Sequence, residues 1–242
     1  MSLKLKGSFG PITGAMKLSD PAPPPMITEG LILNLNAGNP ASYSGSGSTW
    51  YDTSGSNRHF TLNNNPSFSN GSFTFDGINQ SASTADNDIW NVNDWTIGAW
   101  IKSTNNTTKS AALSNYGGST MHYGLRYDYG NPIAYYDDNA SFGFTQTNAN
   151  ESVASGTWRY IVGTFAKGQF HRVYIDGVMK NERTSVYNGM LYPAATLYVA
   201  RDTAGDQTYF TGSIGIINLY NQALTTEEIN QNYTAQRLQF GV

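Results

Sequence analysis

The chain has 242 residues and a formal net charge of −3, and only 13% of its residues are charged, against roughly 25% in an ordinary soluble domain. It has no cysteine, which excludes disulfides and thiolate metal sites. It also has no basic run to favour nucleic acid and no apolar span of the ~20 residues needed to cross a membrane as a helix.

Residues 1–26 differ from the rest. They hold three of the seven lysines and end in Pro21-Ala22-Pro23-Pro24-Pro25. A proline run favours extended polyproline geometry, so this stretch reads as an N-terminal arm or stiff linker, with a disordered leader as the alternative. Lys4 and Lys6 are followed by Gly7, Gly10, Pro11, Gly14 and Lys17, which interrupt any apolar core of the kind a secretory signal carries.

From Ile27 to Val242 the pattern is strand and turn. Leu31-Ile32-Leu33-Asn34-Leu35-Asn36 alternates and predicts a first strand, followed by glycine- and serine-rich loops over 38–48. Trp50-Tyr51-Asp52 leads into the turn Thr53 to Asn57, and His59 to Leu62 is a short strand. Phe73-Thr74-Phe75 ends in Asp76-Gly77, read as a hairpin turn. Trp95 to Ile101 alternates large and small residues as a central strand does, and it places Trp95 and Trp100 on opposite faces. Tyr123 to Tyr127 and Ile133 to Tyr136 flank Gly130-Asn131 and predict a hairpin. Trp158 to Phe165 and Arg172 to Ile175 are further strands, the second ending in Asp176-Gly177. Thr196 to Ala200 and Gly212 to Tyr220 complete the series. One helix is predicted, to about Gln236, because Thr225 and Glu228 have the spacing of a capping box. Many short strands with one helix specify an all-β sandwich over 27–242.

Four segments resemble the laminin-G-like, concanavalin A-like jelly-roll family: Phe73 to Gly77, Trp95 to Ile101, Trp158 to Phe165 with Val173 to Gly177, and Gly212 to Ile229. Asp52 to Asn57 is similar to the family's loop after the first strand. Together these cover about residues 30–236. The resemblance implies a two-sheet antiparallel jelly-roll sandwich. It leaves function open, because this fold hosts lectins, adhesins, hydrolases and structural domains.

Catalytic signals are lacking. The glucanases of this fold carry alternate carboxylates on one strand, whereas Glu29, Glu151, Glu182, Glu227 and Glu228 have no such arrangement. Asp86 and Asp88, and Asp137 with Asp138, are loop clusters. His59, His122 and His171 form neither a nucleophile triad nor a zinc motif. No enzyme is expected. Family members often hold Ca²⁺ with loop aspartates, which makes Asp52 and Asn57 candidate calcium ligands. The alternative for Asp52 is a turn-forming carboxylate, and Gly215-Ile216 depart from the acidic pair many members have. For glycans, the candidates are His122, Arg126 and Asp128, which share one face of a strand, together with Tyr135, Tyr136, Asp137 and Asp138. They combine stacking rings with planar polar groups. The alternative is a tyrosine-rich sheet packing its own core.

The uncharged surface, the arm and the absence of an export signal favour a non-catalytic bacteriophage virion protein, a capsid decoration or tail component. It would attach through residues 1–26 to other virion proteins, as an oligomer or part of a large assembly, and contact host glycans. A bacterial surface adhesin is the alternative reading, with a degenerate glycoside hydrolase third.

Overall fold

The computed structural model of the chain describes residues 22–85, 91–107, 109–117, 120–137, 144–184, 196–202 and 208–242. These residues build two eight-stranded antiparallel sheets. Sheet 1 runs in the order β14 (Val178–Thr184), β13 (Phe170–Ile175), β12 (Arg159–Ala166), β7 (Trp95–Ser103), β18 (Thr211–Tyr220), β5 (Ser72–Asp76) and β4 (Ser67–Ser69). β1 (Leu31–Asn36) joins the same side of β18 as β5, beyond it along the strand. Sheet 2 runs β11 (Phe144–Asn148), β10 (Asn131–Asp137), β9 (Thr120–Asp128), β8 (Lys109–Gly117), β15 (Thr196–Val199), β6 (Ser81–Thr84), β3 (Phe60–Asn63) and β2 (Thr49–Trp50). A small ribbon, β16 (Arg201–Asp202) with β17 (Thr208–Tyr209), lies against β8.

Strand alternation makes two cores. On β7, Trp95, Ile97, Ala99 and Ile101 point between the sheets, where they meet Tyr123, Leu125 and Tyr127 of β9. Trp100 points the other way, into a second core on the outer face of sheet 1 with Tyr160, Tyr174 and Ile229. The expected division of the two tryptophans is therefore realised. Gly98 leaves room on that outer face: a Cβ there would lie 2.5 Å from the Tyr160 hydroxyl.

The outer core is roofed by helix α1 (Thr226–Gln236) and a 3-10 turn at Arg237–Phe240. The capping box forms as the sequence predicts, with Glu228 N–H donating to Thr225 Oγ1 at 3.2 Å and Thr225 N–H to Glu228 Oε2 at 2.8 Å. Trp100 stacks on Phe240 with centroids 4.5 Å apart, and on Tyr160 at 5.3 Å. The chain just before β1 is tied to the same roof. Gln231 Nε2 donates to the Pro25 carbonyl at 2.7 Å, Ile27 N–H donates to Asn232 Oδ1 at 2.7 Å, and the Ile27 carbonyl accepts from the Tyr220 hydroxyl at 3.0 Å.

The two Asp-Gly turns differ. Asp176 and Gly177 have φ of 53° and 78° and close the two-residue hairpin from β13 to β14. Asp76-Gly77 is a correction, because β5 belongs to sheet 1 and β6 to sheet 2. This turn is a corner between layers, and the Asp76 carboxylate accepts the N–H groups of Ile78, Asn79 and Gln80 in making it. The strand β8 escapes an alternation search because Ser110 to Asn115 are buried on both faces.

Candidate functional site

The predicted glycan residues fall in three places. On β9, His122, Arg126 and Asp128 do share a face, opposite the core-facing Tyr123, Leu125 and Tyr127. On β10, Tyr135 lies on the same side as Arg126, whose guanidinium is 5.8 Å from its ring centroid. Tyr135 crosses Gly124 in register, and a Cβ on Gly124 would come within 2.4 Å of its hydroxyl. Tyr136 is a correction. Adjacent residues of a strand face opposite ways, so its ring packs between the sheets, 4.5 Å from Phe165 and 5.2 Å from His171. Asp138 and the Asp137 side chain lie outside the described residues.

The shared face is covered. His122, Arg126 and Tyr135 are 1%, 7% and 0% exposed, so a saccharide does not reach them in this structure. The face is organised by charge instead. Arg126 Nε lies 2.7 Å from Asp202 Oδ2 and 3.5 Å from Asp128 Oδ1, so one guanidinium ties β9 to the ribbon strand β16. Burial, aided by Asp202, raises the Asp128 pKa above the usual carboxylate range despite Arg126. Burial likewise drives the Tyr135 hydroxyl far upward, keeping it neutral. Asp202 had no sequence signal, since it ends a two-residue strand with no motif around it.

Asp52 and Asn57 are arranged as a turn. Asp52 Oδ1 accepts N–H groups of Asn34 and Ser54, both at 2.9 Å, while Oδ2 accepts the Ser54 hydroxyl at 2.9 Å and the Arg58 N–H at 3.2 Å. Asn57 takes a left-handed φ of 56° to close the loop. Four protein donors thus meet the Asp52 carboxylate, as expected of the turn-forming alternative. Among the described residues, no group of three or more His, Asp or Glu is placed to hold a metal ion.

His171 points into the main core. Thr147 Oγ1 lies 3.2 Å from its Nδ1, and Trp95, Phe165 and Tyr136 meet it edge-on. Burial, with Arg183 nearby, lowers its pKa to about 3, so the ring is neutral at ordinary pH.

An open groove of about 480 Å³ lies elsewhere, at one end of the outer face of sheet 1. One wall is the β12–β13 turn with Asp94, and the other is the linker from β18 into α1.

Two stacked antiparallel sheets with a helix roofing one of them define a lectin-type jelly roll. The chain belongs to the Laminin_G_3 family of the concanavalin A-like lectin/glucanases superfamily, whose profile matches residues 75–230. No curated protein sequence matches it. Similar solved structures include the receptor binding domain of botulinum neurotoxin C/D mosaic serotype, at TM-score 0.69 and 17% identity, covering 89% of this chain and 55% of that one. Another is the botulinum neurotoxin serotype D ligand binding domain in complex with N-acetylneuraminic acid, at 0.69 and 18%, covering 89% and 54%. A third is the binding domain of botulinum neurotoxin DC in complex with rat synaptotagmin II, at 0.66 and 15%, covering 86% and 52%. The chain thus spans little more than half of each of these domains, and at such identity the likeness is one of fold.

Proposed function

We propose that this protein is a non-catalytic, glycan-binding virion component, displayed on a phage particle through residues 1–26 with the sandwich facing out. The observation that carries the non-catalytic part is the hold of Arg126 on both Asp128 and Asp202. Glycoside hydrolysis needs one carboxyl that can donate a proton and a second that attacks or activates water, both against the sugar. On this covered face the two carboxyl groups share one cation, which is an arrangement for holding elements together, while carboxylates elsewhere, such as Asp94 and Glu227, make β-glucan turnover a necessary part of the test.

Glycan binding is supported by membership of a lectin-rich superfamily and by the sialic acid in one solved neighbour. The low-charge surface, rich in Asn, Ser and Thr, agrees with it. Display on a particle is supported by the proline run and by the hydrogen bonds that fasten residues 25–27 to α1, which give the N-terminal residues a fixed point of departure.

A glycan array probed with the full chain tests the binding, and hits without turnover of β-glucans are expected. Antibody raised against the sandwich should label phage particles sedimented from lysates of the producing host. An array with no hits removes the glycan role. Labelling of bacterial surfaces in place of particles replaces the virion reading with an adhesin.

A further inference from the structure

We infer that the groove between the β12–β13 turn and the β18–α1 linker is the saccharide site, and that it takes neutral, hydroxyl-rich sugars in preference to anionic ones. The inference rests on the glycan-binding reading and assigns it a place and a ligand class.

The groove is lined by Asp94, Gln169, Phe170, Arg172, Gln222 and Glu227 among others, and its volume is within the range of small-ligand sites. Sugar recognition calls for an aromatic surface against the ring C–H groups and planar amides or carboxylates against neighbouring hydroxyls. Phe170, one face of which Arg172 covers, supplies the first with the rest of its ring, and Gln169, Gln222, Asp94 and Glu227 supply the second. The Gln169 side-chain amide makes no hydrogen bond to the described residues, and the whole residue is exposed on the turn.

Both walls are pinned to the start of β7. Asp94 Oδ1 accepts the Lys167 N–H at 2.7 Å, which holds the β12–β13 turn. Thr96 Oγ1 donates to the Gln222 carbonyl at 2.9 Å and accepts the Leu224 N–H at 2.8 Å, which holds the linker. Gln222 Nε2 donates to the Glu29 carbonyl at 3.1 Å, leaving its side-chain carbonyl for a ligand. Binding groups fixed in this way lose little freedom when a ligand arrives.

Charge selects the ligand class. Arg172 is the cation of the lining, and its guanidinium is already paired with Glu182 and stacked 3.5 Å over the Phe170 ring. Asp94 and Glu227 remain as the carboxylates facing a ligand, so a carboxylated sugar meets repulsion.

The test uses the full chain, isotopically labelled, titrated with lactose, maltose and α-mannobiose, and with 3′-sialyllactose as the anionic counterpart of lactose. Expected are amide shift changes at residues 94, 167–172 and 222–227 with at least one neutral sugar, and at least threefold weaker binding of 3′-sialyllactose than of lactose. Gln169→Ala, on an exposed turn, should weaken the bound neutral sugar at least fivefold with an unchanged melting curve. Tyr129→Ala, at the exposed β9–β10 turn, should leave binding alone. Shift changes confined to another surface, or a Gln169→Ala protein that binds normally, overturn the groove assignment while glycan binding stands. Tighter binding of the sialylated sugar overturns the charge argument. If the full chain also fails on a broad glycan array, the underlying glycan reading falls with it.

Discussion

Trp100 Nε1 donates a 2.9 Å hydrogen bond to Gln236 Oε1, joining the middle of sheet 1 to the last turn of α1 across 136 residues of chain. Gln236 Nε2 passes the connection on to Asn218 Oδ1 at 2.9 Å, and Asn218 Nδ2 to Asn34 Oδ1 at 3.0 Å. A chain of amides thus runs beneath the helix from β7 through β18 to β1, in the core that also anchors Ile27.

Gln236→Leu breaks this chain at its centre and leaves the Trp100 N–H and the Asn218 carbonyl buried without their partner. Each stranded group costs about 1–3 kcal/mol. Urea denaturation should show a loss of about 2–4 kcal/mol, with a fall in Tm of roughly 2–4 °C per kcal/mol.

Removing the cation from the covered face of sheet 2 should be more damaging. Arg126→Met removes the guanidinium that lies 2.7 Å from the carboxylate of Asp202, which is 1% exposed. Loss of one partner of a buried pair costs about 3–5 kcal/mol. Adding Asp202→Asn should restore part of that stability, and a double-mutant cycle by urea denaturation measures how much.

Asp128 makes the pH dependence of the same face predictable in sign. Its folded pKa is raised by burial, so the folded protein holds the proton to higher pH than the unfolded chain does. Stability from this group is present at low pH and falls as pH rises from the ordinary carboxylate range through the raised value. Asp128→Asn cannot ionise, so its stability relative to the parent should be more favourable at pH 7 than at pH 3. Paired urea titrations at the two pH values measure that difference.

His171 acts in the opposite direction. Its folded pKa of about 3 lies below the unfolded value of 6.5, so the unfolded chain takes up a proton that the core refuses. The contribution is complete above pH 6.5 and is lost as pH falls towards 3, at up to about 1.4 kcal/mol per pH unit. His171→Leu should flatten that part of the stability profile, as followed by denaturant midpoints between pH 4 and 7.

The sheet faces were readable because a strand has a period of two. That period separated Trp95 from Trp100 and put His122, Arg126 and Asp128 together. It also separates Tyr135 from Tyr136, which cannot serve one surface. It could not reveal that the polar side of β9 is covered, since His, Arg and Asp on alternate positions read as a solvent face. The Arg126–Asp202 contact joins strands 76 positions apart in sequence. The groove likewise draws its lining from three separate turns that no spacing rule connects.

Local patterning alone therefore determined the all-β class, the strand positions around the two tryptophans, the capping box of α1 and the left-handed Asp176-Gly177 corner. Each depends only on residues within a few positions of one another, where sterics and alternation act directly. The tertiary structure decided that Asp52 spends its carboxylate on a turn, that Asp76-Gly77 bridges two layers, and that one sheet face is covered and holds a buried ion pair while a groove opens at the end of the other. Those outcomes depend on which distant segments pack together, and packing free energy is a property of the assembled layers rather than of any single stretch of chain.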